Sequence, residues 1–187
     1  EKLTGKRLRR VLPWTADHND MNAQTDTPGL ISAESIAKID AWLEKFPPER
    51  KQSAVLPALH IVQEQNGGWV SRDLLDAVAA YLDMPPVLVY EVGTFYSMIE
   101  LEPVGRNMVA LCTNLSCMLC GAETIVEHVE KKLGITLGET TADGRITLKL
   151  EEECLAACAG GPMMAVNGHY HENLTPAKVD EILDALE

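Results

Sequence analysis

All five cysteines of this 187-residue chain fall between positions 112 and 158, in two short runs. The first is Cys112-Thr-Asn-Leu-Ser-Cys117-Met-Leu-Cys120, and the second is Cys154-Leu-Ala-Ala-Cys158. This clustering constrains the fold, because a shared use of the thiols requires two separate loops to meet at one end of a small unit. The first thirty residues are polar and lack the apolar run of a secretory signal. The chain begins with Glu1 rather than Met, which leaves room for a removed leader. Five cysteines without an export signal predict a reducing compartment, where thiols serve as ligands or catalysts rather than in disulfides.

The pattern around the cysteines has the periods of mixed secondary structure. Asn107–Leu111 reads as a buried strand running directly into Cys112. Gly121–Leu133 is an amphipathic helix with Ile125, Val129 and Leu133 on one side and Lys131-Lys132 before Gly134. Arg145–Leu150 alternates Ile146, Leu148 and Leu150 as a second strand. Met163–Val166 is a third, turned by Asn167-Gly168 into a fourth over His169–His171. Thr175-Pro176 starts a last helix with Val179, Ile182, Leu183 and Leu186 on its apolar face. The order strand–helix–strand–hairpin–helix predicts a small α/β layer over 103–187. Both cysteine runs fall at strand exits of that layer.

Before Pro103 the period is helical. Residues 1–30 carry a basic patch (Lys6, Arg7, Arg9, Arg10) and a polar stretch, read as a flexible tail. Ser32 caps a helix with Ile36, Ile39, Ala41, Leu43 and Phe46 inward, ended by Pro47-Pro48. A second helix runs through Ala54, Val55, Ala58, Leu59, Ile61 and Val62 to Gly67-Gly68. Ser71 caps a third, with Leu74, Leu75, Val78, Ala79 and Leu82 inward, and a short fourth covers Val87 to Phe95. Short connections between four helices predict a small bundle over 31–102. It holds no cysteine and no acid–base cluster, so its expected role is structural or adhesive.

Hydrophobic content of 46% makes a buried core feasible. A net charge of −12 repels phosphate backbones and anionic lipid, so nucleic acid and membrane surfaces are poor partners. No stretch approaches the ~20 apolar residues of a membrane span. Neither G-x-G-x-x-G nor a phosphate loop occurs, so nicotinamide and flavin binding are not expected on this chain.

Thiolates suit iron, and a [2Fe–2S] rhomb takes two per iron, so two paired loops form a natural donor set. Gly121, Ala156, Ala157, Ala159, Gly160 and Gly161 let backbone N–H groups approach the sulfurs. Two ligand sets are open. Cys112-x4-Cys117-x2-Cys120 with one distal cysteine has plant-type ferredoxin spacing. The two-pair set uses Cys112, Cys117, Cys154 and Cys158, and accounts for both thiols of the second loop. Zinc is a rival, since Cys117-x2-Cys120 has knuckle spacing, although the x3 and x4 pairs fit that pattern less well. A redox-active Cys117-x-x-Cys120 would leave three cysteines idle. Elsewhere, Trp69, Phe95 and Tyr96 read as packing residues and His60 as a packed or hydrogen-bonded histidine. His169 and His171 share a strand face, and Glu151–Glu153 reads as a solvated charge run.

At these residues the chain resembles the 24-kDa subunit family of NADH:quinone oxidoreductase, respiratory complex I, in its bacterial and mitochondrial forms. The resemblance rests on Cys-Thr-Asn-Leu-Ser-Cys-Met-Leu and Glu-Cys-Leu-Ala-Ala-Cys. It extends upstream through Pro47-Pro-Glu-Arg-Lys-Gln-Ser-Ala, Gln63-Glu-Gln-Asn-Gly-Gly-Trp and Val92-Gly-Thr-Phe-Tyr, and downstream through Gly161-Pro-Met-Met and Leu174-Thr-Pro. It covers about residues 31–187 and implies a helical N-terminal domain followed by a thioredoxin-like domain with one [2Fe–2S] cluster. The family's ligands map onto Cys112, Cys117, Cys154 and Cys158, with Cys120 a spare thiol at a position where the family often has another residue. The resemblance also implies an electron-transfer role with no substrate site on this chain, beside a flavoprotein that binds NADH and FMN and other components of the hydrophilic arm. The expected location is the cytoplasmic side of the inner membrane, or the mitochondrial matrix in a eukaryote, without insertion. Accessory subunits of NAD-linked formate dehydrogenases and hydrogenases, and free-standing thioredoxin-like ferredoxins, are the alternatives.

Overall fold

The computed structural model describes residues 29–149 and 154–187. The expected tail (all but its last two residues), its basic patch, Leu150 and the run Glu151–Glu153 lie outside the described residues.

The first half is helical. Helices α1 (Ala33–Leu43), α2 (Val55–Gln65), α3 (Arg72–Tyr81) and α4 (Pro86–Phe95) pack around Ile39, Leu59, Val62, Val78, Leu82 and Val89, all fully buried. Their ends follow the capping chemistry. The Ser32 hydroxyl accepts from Ser35 N–H at 3.1 Å and the Ser71 hydroxyl from Leu74 N–H at 3.3 Å. After α2, Gly67 and Gly68 take positive φ and Gly68 N–H closes on the Gln63 carbonyl at 2.8 Å, a turn that side-chain-bearing residues rarely make. A 3-10 segment, Pro48–Ala54, leads directly into α2, where the periodicity predicts only a connection and a helix start.

Three inward assignments need correction. Ala41 is exposed, because it lies two residues, about 200° of helix rotation, from the buried Ile39. Phe95 stands in the same relation to the buried Gly93 on α4 and is 78% exposed rather than in the core. Tyr96, just past the helix end, is also exposed and meets the Phe95 ring edge-on, 5.0 Å between centroids. Helix α4 buries mainly Val89 and Gly93; the backbone at Gly93 comes so near α3 that an added Cβ would lie 3.2 Å from Leu75.

The second half is a four-stranded mixed sheet of β1 (Asn107–Leu111), β2 (Ile146–Leu148), β3 (Met164–Val166) and β4 (His169–His171), in the order β2-β1-β3-β4. Strand β1 runs parallel to β2, with Val109 opposite Leu148, and antiparallel to β3, with Leu111 opposite Met164. The parallel pair is joined through α5 (Leu115–Leu119) and α6 (Ala122–Leu133), as a parallel connection requires. Helix α6 and the last helix, α7 (Pro176–Asp184), share a core with the sheet made of Val109, Ile125, Val129, Ile146, Leu148, Val179 and Leu183. Asp180 on α7 ties the helices together, accepting from His128 at 2.8 Å and Lys132 at 3.2 Å. Asn167 and Gly168 both have positive φ, the backbone a two-residue hairpin needs. Thr175 caps α7 by accepting from Lys178 N–H at 3.3 Å.

The halves meet at the exit of β2. Lys149 donates to the Ser97 carbonyl at 2.9 Å and pairs with Glu100 Oε1 at 3.4 Å. Glu100 is itself held by its N–H on Gln63 Oε1 at 2.8 Å and its carbonyl on Val70 N–H at 2.7 Å. Among the described residues no helix is long and apolar enough to cross a membrane.

Candidate metal centre

The first cysteine run is positioned by β1. Cys112 follows the strand directly, and its N–H donates to the Met163 carbonyl at 3.1 Å, so the strand ladder fixes where the thiol stands. The run then forms α5, a five-residue helix absent from the sequence-based expectation, which treats this stretch as a loop. Asn114 caps it, accepting from Leu115 N–H at 3.0 Å. Its one buried residue is Cys117, while Leu115, Met118 and Leu119 are exposed, Leu119 at 77%. Cys120 ends the helix and is exposed. Asn114 ahead of Leu115 is the one local signal of this helix, a capping residue type.

The second run lies in the connection between β2 and β3, the two strands that flank β1. Cys154 and Cys158 are exposed, Ala156 between them takes a positive φ of 60°, and Cys158 opens a 3-10 turn, Cys158–Gly160. A cis Gly161-Pro162 peptide then leads to Met163. Just past this run, the Gly161 backbone comes near the first, since a Cβ there would lie 3.4 Å from Cys117 Sγ and 3.5 Å from Cys120 Cβ.

The four predicted sulfurs are thereby brought together as a series of neighbours, 117–112–154–158. The Cys117 and Cys154 thiols both act on the ionisation of Cys112, and Cys154 Sγ is 3.8 Å from Cys158 Sγ. No three of the described His, Cys, Asp and Glu side chains close around a single ion, and His169 and His171 join no such group. One pair, Cys112 and Cys117, is buried at 2% and 1% exposure; the other lies at the surface.

Burial alone pushes the Cys112 thiol up, but the N–H groups of Leu155 and Asn114, with the Cys117 and Cys154 thiols, more than offset it and hold Cys112 below the ordinary thiol range. Cys117 is pushed up to about 11 by burial and by the Cys112 thiol beside it, against a Met163 N–H that acts in the other direction. At Cys154 the Ala156 N–H lowers the thiol's pKa, but the Cys158 thiol and burial outweigh it and the net shift is upward. Protons thus compete for these sulfurs, so binding of a metal there would release them. Soft donors in two adjacent pairs, with backbone N–H groups aimed at them, suit an iron–sulfur cluster. Of the hydrogen-bonding residues, Ala156 is among the small residues the sequence points to, whereas Asn114, Leu155 and Met163 are not, because a larger residue's backbone donor has no signature in residue type.

Of the other conspicuous residues, Trp69 is half-buried and its carbonyl accepts from Asn66 Nδ2 at 3.0 Å. The His60 ring makes no hydrogen bond among the described residues; it is partly exposed, and burial of the rest lowers its pKa. It lines a cleft of about 940 Å³ between the helical half and the sheet.

Residues 39–187 match the thioredoxin-like [2Fe–2S] ferredoxin family. Among similar proteins, an NADH-quinone oxidoreductase subunit of Rickettsia bellii (strain RML369-C) is 43% identical over 165 residues, covering 88% of this chain and 95% of that protein. The mitochondrial NADH dehydrogenase [ubiquinone] flavoprotein 2 of Dictyostelium discoideum is 39% identical over 173 residues, covering 92% of this chain and 68% of that protein. Among solved structures, an NAD+-reducing [NiFe]-hydrogenase in the air-oxidized state aligns with a TM-score of 0.59 at 21% identity. That alignment covers 70% of this chain but only 22% of the hydrogenase chain, and it shows a shared fold. With matched helices, mixed sheet and paired cysteine loops, this chain belongs to the thioredoxin-like [2Fe–2S] ferredoxin family.

Proposed function

We propose that this protein is the electron-carrying 24-kDa-type subunit of an NADH:quinone oxidoreductase, holding one [2Fe–2S] cluster on Cys112, Cys117, Cys154 and Cys158. The observation that carries the reading is the meeting of two thiol pairs from separate loops in a chain of this family. The family supports [2Fe–2S] rather than zinc, and the exposed Cys120 is left as a spare thiol outside the sulfur series. When bound, the cluster supplies reversible one-electron transfer.

The chain's own residues do the rest. Strand β1 and helix α5 fix the buried thiol pair, the 3-10 turn presents the surface pair, and the N–H groups of Leu155, Asn114, Met163 and Ala156 favour the charged form of the sulfurs. The inner pair is shielded from water while the outer pair stays at the surface, where a partner can approach closely. Residues 31–102 form a separate helical bundle domain and 103–187 the cluster domain, joined through Lys149. The partner is a flavoprotein that binds NADH and FMN, within the hydrophilic arm of complex I on the cytoplasmic or matrix side of the membrane. Relatives named as NADH dehydrogenase components at 39–44% identity support this assembly over a formate dehydrogenase or hydrogenase.

Electron paramagnetic resonance of the anaerobically purified, dithionite-reduced protein, with iron and zinc measured on the same sample, tests the reading. A [2Fe–2S] signal with about two irons per chain is expected. Stoichiometric zinc without visible absorbance would remove it.

A further inference from the structure

The turn that carries Cys158 is covered by a side chain outside both cysteine runs. A Cβ built on Gly160 would overlap the Glu172 carboxylate and would lie 2.7 Å from Glu172 Cβ, so Glu172 lies folded directly over the Gly160 backbone. The same segment grips the turn through its backbone. Asn173 N–H donates to the Gly160 carbonyl at 2.6 Å, and Leu174 N–H donates to the Pro162 carbonyl at 2.9 Å. Behind it, Lys178 on α7 donates to the Glu172 carbonyl at 2.5 Å. The Glu172 carboxylate itself has no hydrogen bond or ion pair among the described residues. Packing and backbone bonds hold this segment, yet an acid, rather than an apolar side chain, fills the space left by a glycine two residues past Cys158.

Resting on the cluster reading above, we propose that Glu172 is a positioning residue for the cluster potential: its carboxylate, seated on the Cys158–Gly160 turn, makes the outer, Cys154/Cys158 side of the cluster harder to reduce. Reduction adds one negative charge, and a fixed negative charge nearby opposes it. Consecutive Cα atoms are 3.8 Å apart, so the turn backbone beneath the carboxylate is within ~8 Å of the Cys158 Cα. This is inside a Debye length at moderate salt. Glu172 is exposed, so solvent screens the effect, and the Lys178 ammonium on the same segment opposes it.

The test is a redox titration followed by electron paramagnetic resonance on the whole chain and two variants. Glu172→Gln keeps the shape over Gly160 and removes the charge, and Glu172→Lys reverses it. The midpoint potential is expected to rise in Glu172→Gln and to rise further in Glu172→Lys. Iron content and the shape of the reduced signal should match the parent. The gap between parent and Glu172→Gln should narrow as salt is added. Equal potentials in all three proteins would overturn the proposal. So would shifts that do not follow charge, or loss of iron from both variants, which would make Glu172 a strut for the turn. Absence of a [2Fe–2S] signal from the parent would instead overturn the cluster reading itself.

Discussion

The helical half and the sheet half solve different problems with similar means. In the helical half, stability and shape come from the same residues: Leu59, Val62, Val78 and Val89 are fully buried and the ends are closed by Ser32, Ser71 and the two glycines. In the sheet half the core of Val109, Ile146, Leu148 and Leu183 stabilises a platform, while the candidate chemistry hangs from the ends of its strands. A core buried by periodic elements tolerates loops of many kinds. A thiol set drawn from two loops depends on the platform's geometry at every position. Loss of one sulfur ligand and loss of one core leucine should therefore have opposite signatures: fold without metal in the first case, and metal on a weakened fold in the second.

The sharpest way to break that contrast is at the cysteines. Cys158→Ser should lose essentially all cluster absorbance and iron while the far-ultraviolet circular dichroism of the chain is kept, whereas Cys120→Ser should retain both. The reverse result would favour the plant-type ligand set. Next, Leu59→Ala removes a fully buried side chain of the helical core and should cost about 2–5 kcal/mol in denaturant unfolding. If the halves are separate folding units, visible absorbance should outlast helical circular dichroism in that variant. A single coincident loss would merge the two into one unit. Ser71→Ala deletes a helix cap and should cost about 1 kcal/mol, read from the same transition.

The smallest effect concerns pH. Tyr81 donates to Asp40 at 2.5 Å, and burial together with that bond pushes it up to about 12 from 10.0. Below pH 10 the group is protonated in both folded and unfolded chains, so its contribution is complete there. Between 10 and 12 the unfolded chain releases the proton first, and stability falls as pH rises through the window. Tyr81→Phe should flatten that decline in the helical half and leave the cluster spectrum unchanged.

Much of the fold was legible because regular elements repeat their signals. Ser32, Ser71 and Thr175 marked helix starts that the hydrogen bonds bear out, and Asn167-Gly168 marked its hairpin. The errors came where rotation about a helix matters more than apolar character: Ala41 and Phe95 each sit two residues from the true inward position. At the candidate site, the thiols and their two short runs were visible as residue types, while two ligand sets remained open. The close approach of Gly161 to Cys117, the Leu155 and Met163 donors to sulfur, and Glu172 over Gly160 were not visible, because each depends on how segments distant in sequence are juxtaposed. Leu115–Leu119 was missed for another reason: five residues are too few to display a period.

Cys112 hydrogen-bonds to Met163 just beyond the register that sets Leu111 against Met164. Side chains alternate along a strand, so a slip by one residue would turn Cys112 to the opposite face and leave its three companions without it. Convergence of the two cysteine runs therefore depends on the correct pairing of β1 with β3.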